Sequence, residues 1–482
     1  MSLAEQRLDV AGSSPAETIR DTLERMRRDF IKAGPPPLAL RRDRLARLKK
    51  ALMNNKDAFL AAISADFGHR SRHETLVTDF VVTVEGIKHM SKHVAQWMRP
   101  EKRPVSINYF PASNRIIFQP LGVVGVISPW NYPVQLAFGP MAAAFAAGNR
   151  VMLKPSEFTP RTSELMAKAL RAEFSELEVA VFTGGPDVGE AFSRQPYDHL
   201  FFTGATSVGR HVMRAAAENL VPVTLELGGK SPTIVDRNAR LESAVGSIVQ
   251  GKFLNAGQTC VAPDYVFVPD DKRDQFIDLM QKQVAKSYPT LKDNDDYTSV
   301  VNQRHFDRLK GLIADAEAKG AKIVQVNPAR ENFEQQPAHK IPPTLILDAT
   351  DDMKVMQDEI FGPLLPIKTY RQIDDAIDYV NDHARPLALY VFSDDKAVQD
   401  KVLSRTTSGG AAVNETVMHV AQEDLPFGGV GPSGMGSYHG REGFLTFSHK
   451  KAVMHQSKFN MLSMMRPPYG KTIDRLLGFM LK

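Results

Sequence analysis

Apolar positions follow two different spacings along the chain. In the first hundred residues they recur every three or four positions, the period of an amphipathic helix. This pattern predicts helices over residues 17–33, 38–67 and 74–98, and the run G-P-P-P that begins at Gly34 ends the first of them.

Beyond residue 121 short apolar runs alternate with helical patterns. The runs predict strands at 123–127, 151–153, 178–182, 199–202 and 221–227, and then at 233–235, 265–268, 322–326 and 388–392. The patterns between them predict helices at 134–147, 162–174, 208–218, 241–253 and 272–286. Strands separated by helices favour parallel sheets with helices on both faces, so the sequence predicts the α/β class with two such domains.

The segment between these two regions has a different pattern. Residues 105–110 and 115–118 read as strands, and the residues between them, P-A-S-N, read as a turn. The sequence therefore predicts a β-hairpin here.

Composition excludes several classes of function. The 482 residues carry a formal charge of +5, and the basic residues are spread out, which argues against a nucleic-acid-binding surface. The longest apolar stretch, 133–147, is interrupted by polar, glycine and proline residues and is too short to span a bilayer. Because the N-terminal residues lack the pattern of a secretory signal, we expect a cytoplasmic protein without a transmembrane segment.

The chain has one cysteine, Cys260, in the run G-Q-T-C. A free cysteine is most often a small buried apolar residue. Gly257, Gln258 and Thr259 are poor core residues, however, and a polar backbone around sulfur stabilises a thiolate. Glu226 lies on an apolar strand that opens into Gly-Gly, as an activated base would. Together Cys260 and Glu226 indicate covalent catalysis through sulfur.

Two runs suggest a dinucleotide site. In F-T-G-A-T-S-V-G a strand enters a turn at Gly204 and a helix leaves it, which would present free N–H groups to a phosphate. Thr206 replaces the middle glycine of the usual fingerprint, so an ordinary strand-to-helix turn is at least as good a reading. Lys154 and Glu157 follow the predicted strand 151–153, where a carboxylate could hold ribose hydroxyls; a surface ion pair is an equal alternative.

Two further runs carry candidate side chains. In P-W-N-Y-P, Asn131 offers an amide N–H₂ that could stabilise an oxyanion, although asparagine also forms turns. In E-I-F-G-P, Glu359 and Phe361 could grip a ribose and a flat ring, although an exposed glutamate beside a core phenylalanine is the simpler reading.

Taken together, these runs resemble the aldehyde dehydrogenase superfamily. The phrases P-W-N-Y-P, K-P-S-E, F-T-G-x-T-x-x-G, E-L-G-G-K-S-P, G-Q-x-C and E-I-F-G-P occur in that order over nearly the whole chain. The runs C-V-A-P-D-Y and L-P-F-G-G-V-G-P-S-G-M-G-S-Y-H-G resemble the class 3 branch. The runs H-V-A-Q-E-D-L-P-F-G-G and G-R-E-G-F-L-T-F-S are similar to those of bacterial coniferyl aldehyde dehydrogenases.

This resemblance implies an aldehyde dehydrogenase-like fold with three parts. An NAD-binding, Rossmann-like domain would take residues 1–99 and 121–229, and a catalytic domain residues 230–430. A small β element for bridging and oligomerisation would take 100–120 and 431–482, giving a homodimer or a dimer of dimers.

The resemblance also implies a mechanism that needs no metal. Cys260 would attack an aldehyde, Asn131 and the backbone N–H of Cys260 would hold the oxyanion, and Glu226 would activate the water that hydrolyses the thioester. NAD, with NADP less favoured because of the carboxylate at Glu157, would be the cofactor. Tyr132 would line the substrate tunnel, with plain core packing as its alternative. The residues implied to bind the cofactor are Lys154, Glu157, Gly204, Thr206, Val208, Gly209, Glu359 and Phe361.

Three readings of function follow. An aromatic aldehyde such as coniferyl aldehyde is the expected substrate, and the presence of Glu226 argues against relatives that pass the acyl group to coenzyme A. A long-chain fatty aldehyde is the alternative, because residues 458–482 could form an amphipathic segment over a tunnel mouth or on lipid. A catalytically idle homologue is the third reading. It predicts loss of the thiol or of the base, and this sequence keeps both Cys260 and Glu226.

Overall fold

The computed structural model of the chain describes residues 14–336, 338–458 and 466–481. Within these ranges the strands form three sheets, of six, seven and three strands. The strands are β1 (Glu101–Arg103), β2 (Ser113–Pro120), β3 (Val123–Ile127), β4 (Arg150–Lys154), β5 (Val179–Val181), β6 (His199–Thr203), β7 (Val223–Glu226), β8 (Pro232–Val235), β9 (Tyr265–Pro269), β10 (Lys322–Gln325), β11 (Thr344–Leu347), β12 (Leu364–Tyr370), β13 (Ala388–Phe392), β14 (Gly410–Val413), β15 (Gly434–Met435) and β16 (Ser448–His455).

Helices cover the two larger sheets. They are α1 (Pro15–Ala33), α2 (Leu38–Met53), α3 (Lys56–Asp66), α4 (Arg72–Thr75), α5 (Val82–Trp97), α6 (Gln135–Ala147), α7 (Pro160–Glu173), α8 (Pro186–Ser193), α9 (Thr206–Ala217), α10 (Leu241–Phe253), α11 (Arg273–Ser287), α12 (Gln303–Ala318), α13 (Lys354–Gln357), α14 (Ile373–Asn381), α15 (Lys396–Arg405), α16 (Gly440–Thr446) and α17 (Lys471–Met480). A π-helical turn, Leu76–Val81, joins α4 to α5.

The six-stranded sheet has the order β15-β7-β6-β3-β4-β5 and is parallel except for β15. Its register pairs Ile127 with Lys154 on one side and with Phe202 on the other, and it pairs Thr203 with Glu226. Four parallel strands therefore end in one row. This row brings together the loops that carry Asn131, the Lys154 run, the Gly204 turn and Glu226.

The seven-stranded sheet has the order β10-β11-β12-β9-β8-β13-β14. Cys260 lies just before β9, and Glu359 lies just before β12, the neighbour of β9 in parallel register. Both residues therefore sit at the amino edge of this sheet. Contacts between the Cys260 and Asn131 loops hold that edge against the carboxyl edge of the six-stranded sheet.

Helix α6 is apolar on every side, and nearly all of its residues are buried. It packs against α2, α5 and α16, so its position is fixed from several directions. Because the loop of Asn131 leads directly into α6, this rigid element anchors one wall of the site.

The predicted hairpin is partly wrong. Strand β2 is present, but its partner is β1 (Glu101–Arg103), and residues 105–110 lie outside the sheet with a helical turn at Ile107–Tyr109. Pro104 has no N–H for the ladder, so the strand ends before it. The apolar side chain of Ile107 is 82% exposed and does not mark a buried face.

The predicted helix over 38–67 is two helices. Helix α2 ends at Met53 and α3 begins at Lys56. The side chain of Asn55 donates a hydrogen bond to the carbonyl of Ala51 at 2.8 Å, a local contact that competes with the continuing helix.

The C-terminal prediction is tested only in part. Residues 459–465 and 482 of the proposed amphipathic segment lie outside the described residues, while Phe479 in α17 and Leu481 just after it are exposed. Strand β15, inside the range assigned to the bridging element, joins the six-stranded sheet. The three-part division of the chain stays a prediction. Among the described residues, no helix is long and apolar enough to cross a membrane.

Candidate active site

The loop that carries Cys260 has an unusual backbone. Asn255, Ala256 and Gly257 follow one another with φ of 53°, 51° and 74°, a conformation that costs free energy for residues with a Cβ atom. A Cβ atom on Gly257 would lie 2.3 Å from the carbonyl oxygen of Gly362. Glycine is therefore needed where the Cys260 loop meets the run that follows Glu359.

The side chain of Gln258 holds this loop in place. Its amide nitrogen donates to the carbonyls of Asn255 at 2.9 Å and Ser299 at 3.0 Å, and its amide oxygen accepts from the backbone N–H of Val301 at 2.9 Å. Gln258 is fully buried and uses both ends of its amide. The glutamine of the G-Q-x-C run thus fixes the backbone of the loop that carries the cysteine.

Glu226 is buried at the end of β7, and neither carboxylate oxygen has a hydrogen-bond partner in the structure. Burial raises its pKa well above the usual value for glutamate. A carboxylate with two open acceptor positions and a raised pKa is suited to accept a proton from water.

Cys260 is partly exposed and lies near two carboxylates. Removal from water raises the pKa of the thiol to about 12, and the charges of Glu359 and Glu226 act in the same direction. The unliganded site therefore favours the thiol over the thiolate, and the nucleophile needs a change of environment or a base to react.

The rate of Cys260 alkylation by iodoacetamide should therefore rise with pH. Only the thiolate reacts, so we expect a rate increase of about tenfold for each unit between about pH 7 and 9, without a plateau. Intact-mass spectrometry measures this directly, since the chain has one cysteine. The control is a short unstructured peptide with one cysteine, whose rate levels off near the free-cysteine pKa of about 8.5. A plateau for the protein below pH 8 would contradict the raised pKa.

Asn131 is buried with its side chain directed toward the Cys260 loop. Its amide nitrogen donates to the carbonyl of Gln258 at 3.1 Å, which leaves one of its two hydrogens available. The next residue, Tyr132, is also buried, and its hydroxyl is hydrogen-bonded to the hydroxyl of Thr259. Both side chains thus contact the residues just before the nucleophile.

An ion pair that the sequence analysis missed supports this loop. Arg70 and Asp79 are both 0% exposed and lie 3.0 Å apart. Arg70 donates to the backbone carbonyl of Asn131 at 2.9 Å, and Asp79 accepts from the backbone N–H groups of Val134 and Gln135 at the start of α6. Both lie far from Asn131 in sequence, Arg70 in the loop before α4 and Asp79 in the π-helical turn, so no local pattern marked them.

Removing Arg70 should destabilise the protein strongly. The substitution Arg70→Met leaves the Asp79 carboxylate buried without its partner, at a cost of about 3–5 kcal/mol. The matched control is Arg72→Met, since Arg72 pairs with Asp57 and both are more than half exposed (57% and 76%), and it should cost less than about 1 kcal/mol. Scanning calorimetry of both variants measures the difference, and equal melting temperatures would contradict a structural role for the buried pair.

Glu359 and Phe361 lie beside the Cys260 loop. The Glu359 carboxylate fills the space where a side chain on Gly228 would stand, since a Cβ atom there would lie 2.1 Å from its Oε2. Burial raises the pKa of Glu359 to about 8. The ring of Phe361 lies 5.4 Å from that of Trp130, measured between centroids. The structure thus brings the E-I-F-G-P, E-L-G-G and P-W-N-Y-P runs together.

Asp264, which the sequence analysis did not select, joins two of these runs. One carboxylate oxygen accepts from Lys230 at 2.5 Å and the other from the backbone N–H of Ile360 at 2.9 Å. Arg308 adds a bond of 2.6 Å to the Ile360 carbonyl. The backbone next to Glu359 is therefore held from both sides.

The residues predicted to bind the dinucleotide lie along the carboxyl edge of the six-stranded sheet. The Lys154 side chain is 4% exposed and bonds Glu157 at 2.8 Å, so this pair is not a simple surface pair. Gly204 precedes α9, which begins at Thr206 and exposes its first N–H groups. A Cβ atom on Gly209 would lie 2.6 Å from the side chain of Leu227, so α9 packs closely on the sheet.

The remaining two side chains of this set lie in the first turn of α9. The hydroxyl of Thr206 donates to the carbonyl of Pro432 at 3.3 Å, and the Val208 side chain is 48% exposed. An exposed valine beside the open helix terminus offers an apolar contact for a flat ring. The arrangement fits a dinucleotide, with anion-binding N–H groups, a carboxylate and an apolar patch on one edge.

Comparison with known proteins identifies the family. The model of the aldehyde dehydrogenase family matches residues 5–453. The chain therefore belongs to the aldehyde dehydrogenase family, whose members are NAD(P)-dependent oxidoreductases acting on aldehydes. The resemblance drawn from the sequence motifs is confirmed.

Individual relatives and a solved structure support the same family assignment. The chain is 52% identical to a probable coniferyl aldehyde dehydrogenase of Caulobacter vibrioides, over 98% of this chain and 99% of the relative. It is also 52% identical to the coniferyl aldehyde dehydrogenase of a Pseudomonas strain, over 97% of each. The substrate-bound state of Staphylococcus aureus AldH has a TM-score of 0.90 with 36% identity and covers 96% of this chain and 99% of its own. The predicted α/β fold is confirmed.

Proposed function

We propose that the protein oxidises aromatic aldehydes, such as coniferyl aldehyde, to carboxylic acids with NAD and releases the acid by hydrolysis. The observation that carries the proposal is the convergence of Cys260, Glu226 and Asn131, from three separate segments, around one thiol. The names of the Caulobacter and Pseudomonas relatives support the aromatic substrate.

In the proposed reaction the Cys260 thiol loses its proton to solvent, and the thiolate attacks the aldehyde carbon. The free amide hydrogen of Asn131 and the backbone N–H of Cys260 hold the oxyanion that forms, and one such donor is typically worth about 3 kcal/mol. Bound NAD supplies the acceptor for the hydride that leaves this carbon. The product of that step is a thioester on Cys260.

Glu226 then completes the reaction. Its two unpartnered oxygens accept a proton from water, and the resulting hydroxide attacks the thioester. The acid is released and the Cys260 thiol is restored. Because Glu226 activates water to hydrolyse the thioester, the acyl group need not be transferred to coenzyme A.

The cofactor would lie along the carboxyl edge of the six-stranded sheet. Lys154 and Glu157 would hold the adenosine ribose, Gly204, Thr206, Val208 and Gly209 the pyrophosphate and adenine side, and Glu359 with Phe361 the nicotinamide end. The carboxylate of Glu157 accepts hydrogen bonds from ribose hydroxyls and repels a 2′-phosphate, which favours NAD over NADP.

Oligomerisation would use the three-stranded sheet. Within the described residues β16 pairs with β2 alone, so one edge of this eight-residue strand is open. An open strand edge is a template for pairing with another chain. We expect a dimer or a pair of dimers, which light scattering after size exclusion measures.

A fatty aldehyde is the second candidate substrate, because Phe479 in α17 and Leu481 just after it are more than four-fifths exposed (81% and 84%). Steady-state rates with coniferyl aldehyde, benzaldehyde, hexanal and dodecanal, each with NAD and with NADP, separate the readings. Higher kcat/KM for the aromatic aldehydes with NAD supports the proposal. Higher values for dodecanal would favour the fatty substrate, and no turnover of any aldehyde would favour an idle homologue.

A further inference from the structure

One short segment of the chain bonds to both loops that carry the donors of the proposed oxyanion hole. Residues 69–74 follow α3 and enter α4. Arg70, near the start of this segment, donates to the backbone carbonyl of Asn131 at 2.9 Å. Glu74, at its end, accepts the backbone N–H of Asn255 in the Cys260 loop at 3.1 Å. Two side chains of one segment therefore hold the Asn131 loop and the Cys260 loop against each other.

Glu74 is itself fixed at both its backbone and its carboxylate. Its backbone N–H donates to the hydroxyl of Ser71 at 3.3 Å, which caps α4. The carboxylate oxygen that accepts from Asn255 also accepts from the hydroxyl of Thr298 at 2.6 Å. That hydroxyl in turn accepts from the backbone N–H of Ser71 at 3.1 Å. These bonds close a ring, so the carboxylate is held in one position.

Asn255 is the residue of the loop where such a hold has the largest effect. It is the first of the three consecutive residues with positive φ, a backbone that persists only where its surroundings fix it. Its side chain donates to the carbonyls of Asn131 at 3.0 Å and Gln258 at 3.3 Å. The amide of Asn131 donates to the same Gln258 carbonyl. A shift of Asn255 would therefore move the Asn131 amide relative to the backbone that leads to Cys260.

We infer that Glu74 is a positioning residue: by holding the backbone of Asn255, it fixes the spacing between the two donors of the oxyanion hole. The inference rests on the proposed function, which assigns the Asn131 amide and the Cys260 N–H to the oxyanion. A carboxylate suits this task, because a hydrogen bond from an N–H to an ionised acceptor is about twice as strong as one to a neutral acceptor.

Two substitutions of similar size test the bond. Glu74→Met removes the acceptor, and Glu74→Gln keeps an oxygen that can accept from Asn255. With coniferyl aldehyde and saturating NAD, Glu74→Met should lower kcat about tenfold, because the donors no longer meet the oxyanion at the right distance. Glu74→Gln should lower kcat only about threefold, since a neutral acceptor makes a weaker bond. The KM for NAD should change by less than about twofold in both variants, because the cofactor would lie along the other sheet.

A double-substitution cycle separates positioning from a general loss of structure. The second substitution, Asn131→Ala, removes the side-chain donor and should itself lower kcat about 10²-fold. If Glu74 acts through the oxyanion hole, Glu74→Met should cost less than about threefold in the Asn131→Ala background. Should Glu74→Met not fold, Glu74→Gln takes its place in the cycle, and its loss should vanish in that background.

The matched control is Glu331→Met. Glu331 is a partly buried residue whose carboxylate accepts the backbone N–H groups of Leu291 at 2.6 Å and Lys292 at 2.9 Å. This variant should lose as much in melting temperature as Glu74→Met and should keep the wild-type kcat.

Two results would overturn the inference while the proposed function stands. One is a wild-type kcat for Glu74→Met, and the other is an equal loss in the presence and absence of the Asn131 amide. The proposed function fails separately, if the wild type oxidises no aldehyde or if Asn131→Ala keeps the wild-type kcat. In that case the inference falls with it.

Discussion

Replacing Cys260 by serine should abolish aldehyde oxidation. We expect kcat to fall by about 10⁴-fold or more, the range seen when a covalent nucleophile is removed from an enzyme. A serine hydroxyl occupies the same place, but it is a far weaker nucleophile than sulfur when no partner is positioned to take its proton. In this site the nearby carboxylates disfavour an anion at position 260.

Three measurements separate loss of chemistry from loss of structure. The variant should retain its melting temperature and should still bind NAD, measured by quenching of tryptophan fluorescence. Intact mass after exposure to aldehyde and NAD should show an acyl adduct on the wild type under rapid quench and none on the variant. Activity of the variant within tenfold of wild type would show that Cys260 is not the nucleophile.

Local patterns predicted the elements that form the site. The strands β3 and β13 and the helix α10 have the predicted bounds, because continuous apolar runs and clear helical periods mark buried elements. The row of strand ends also followed from the α/β pattern, since parallel strands share a carboxyl edge. The hairpin failed at residues 105–110 because exposed apolar side chains imitated the pattern of a strand.

Long-range partners could not be predicted in this way. Arg70 and Asp79 act on the Asn131 loop across more than fifty residues, and nothing in the sequence next to either residue indicates that partner. Gln258 was recognised for its place beside Cys260, while its role depends on the carbonyl of Ser299 and the N–H of Val301, which only the fold brings near. The glycines at 228 and 86 could not be explained from local sequence either. Each leaves space for a carboxylate from another segment, Glu359 at Gly228 and Glu423 at Gly86.

Two conflicting demands meet at Glu226. A proton acceptor for water must have open acceptor positions, yet a buried carboxylate without partners destabilises the fold when it is ionised. Its pKa is raised in the folded state, so the native protein binds this proton more tightly than the unfolded chain does. Stability should therefore fall as pH rises above the unfolded pKa of about 4.3 and should stop falling above the folded pKa.

The substitution Glu226→Gln should show both effects. Steady-state kcat should fall by about 10³-fold, because hydrolysis of the thioester loses its base. The first turnover should persist, so NADH appears in a burst of one equivalent per active site and the acyl adduct on Cys260 accumulates in intact-mass spectra. Hydroxylamine, which attacks thioesters without a base, should restore turnover and yield a hydroxamate.

At pH 8 the variant should melt above the wild type, and the difference should shrink toward pH 4, whereas the surface control Glu242→Gln should show no such trend. A lost burst with no adduct would assign Glu226 to the attack step instead of the hydrolysis step.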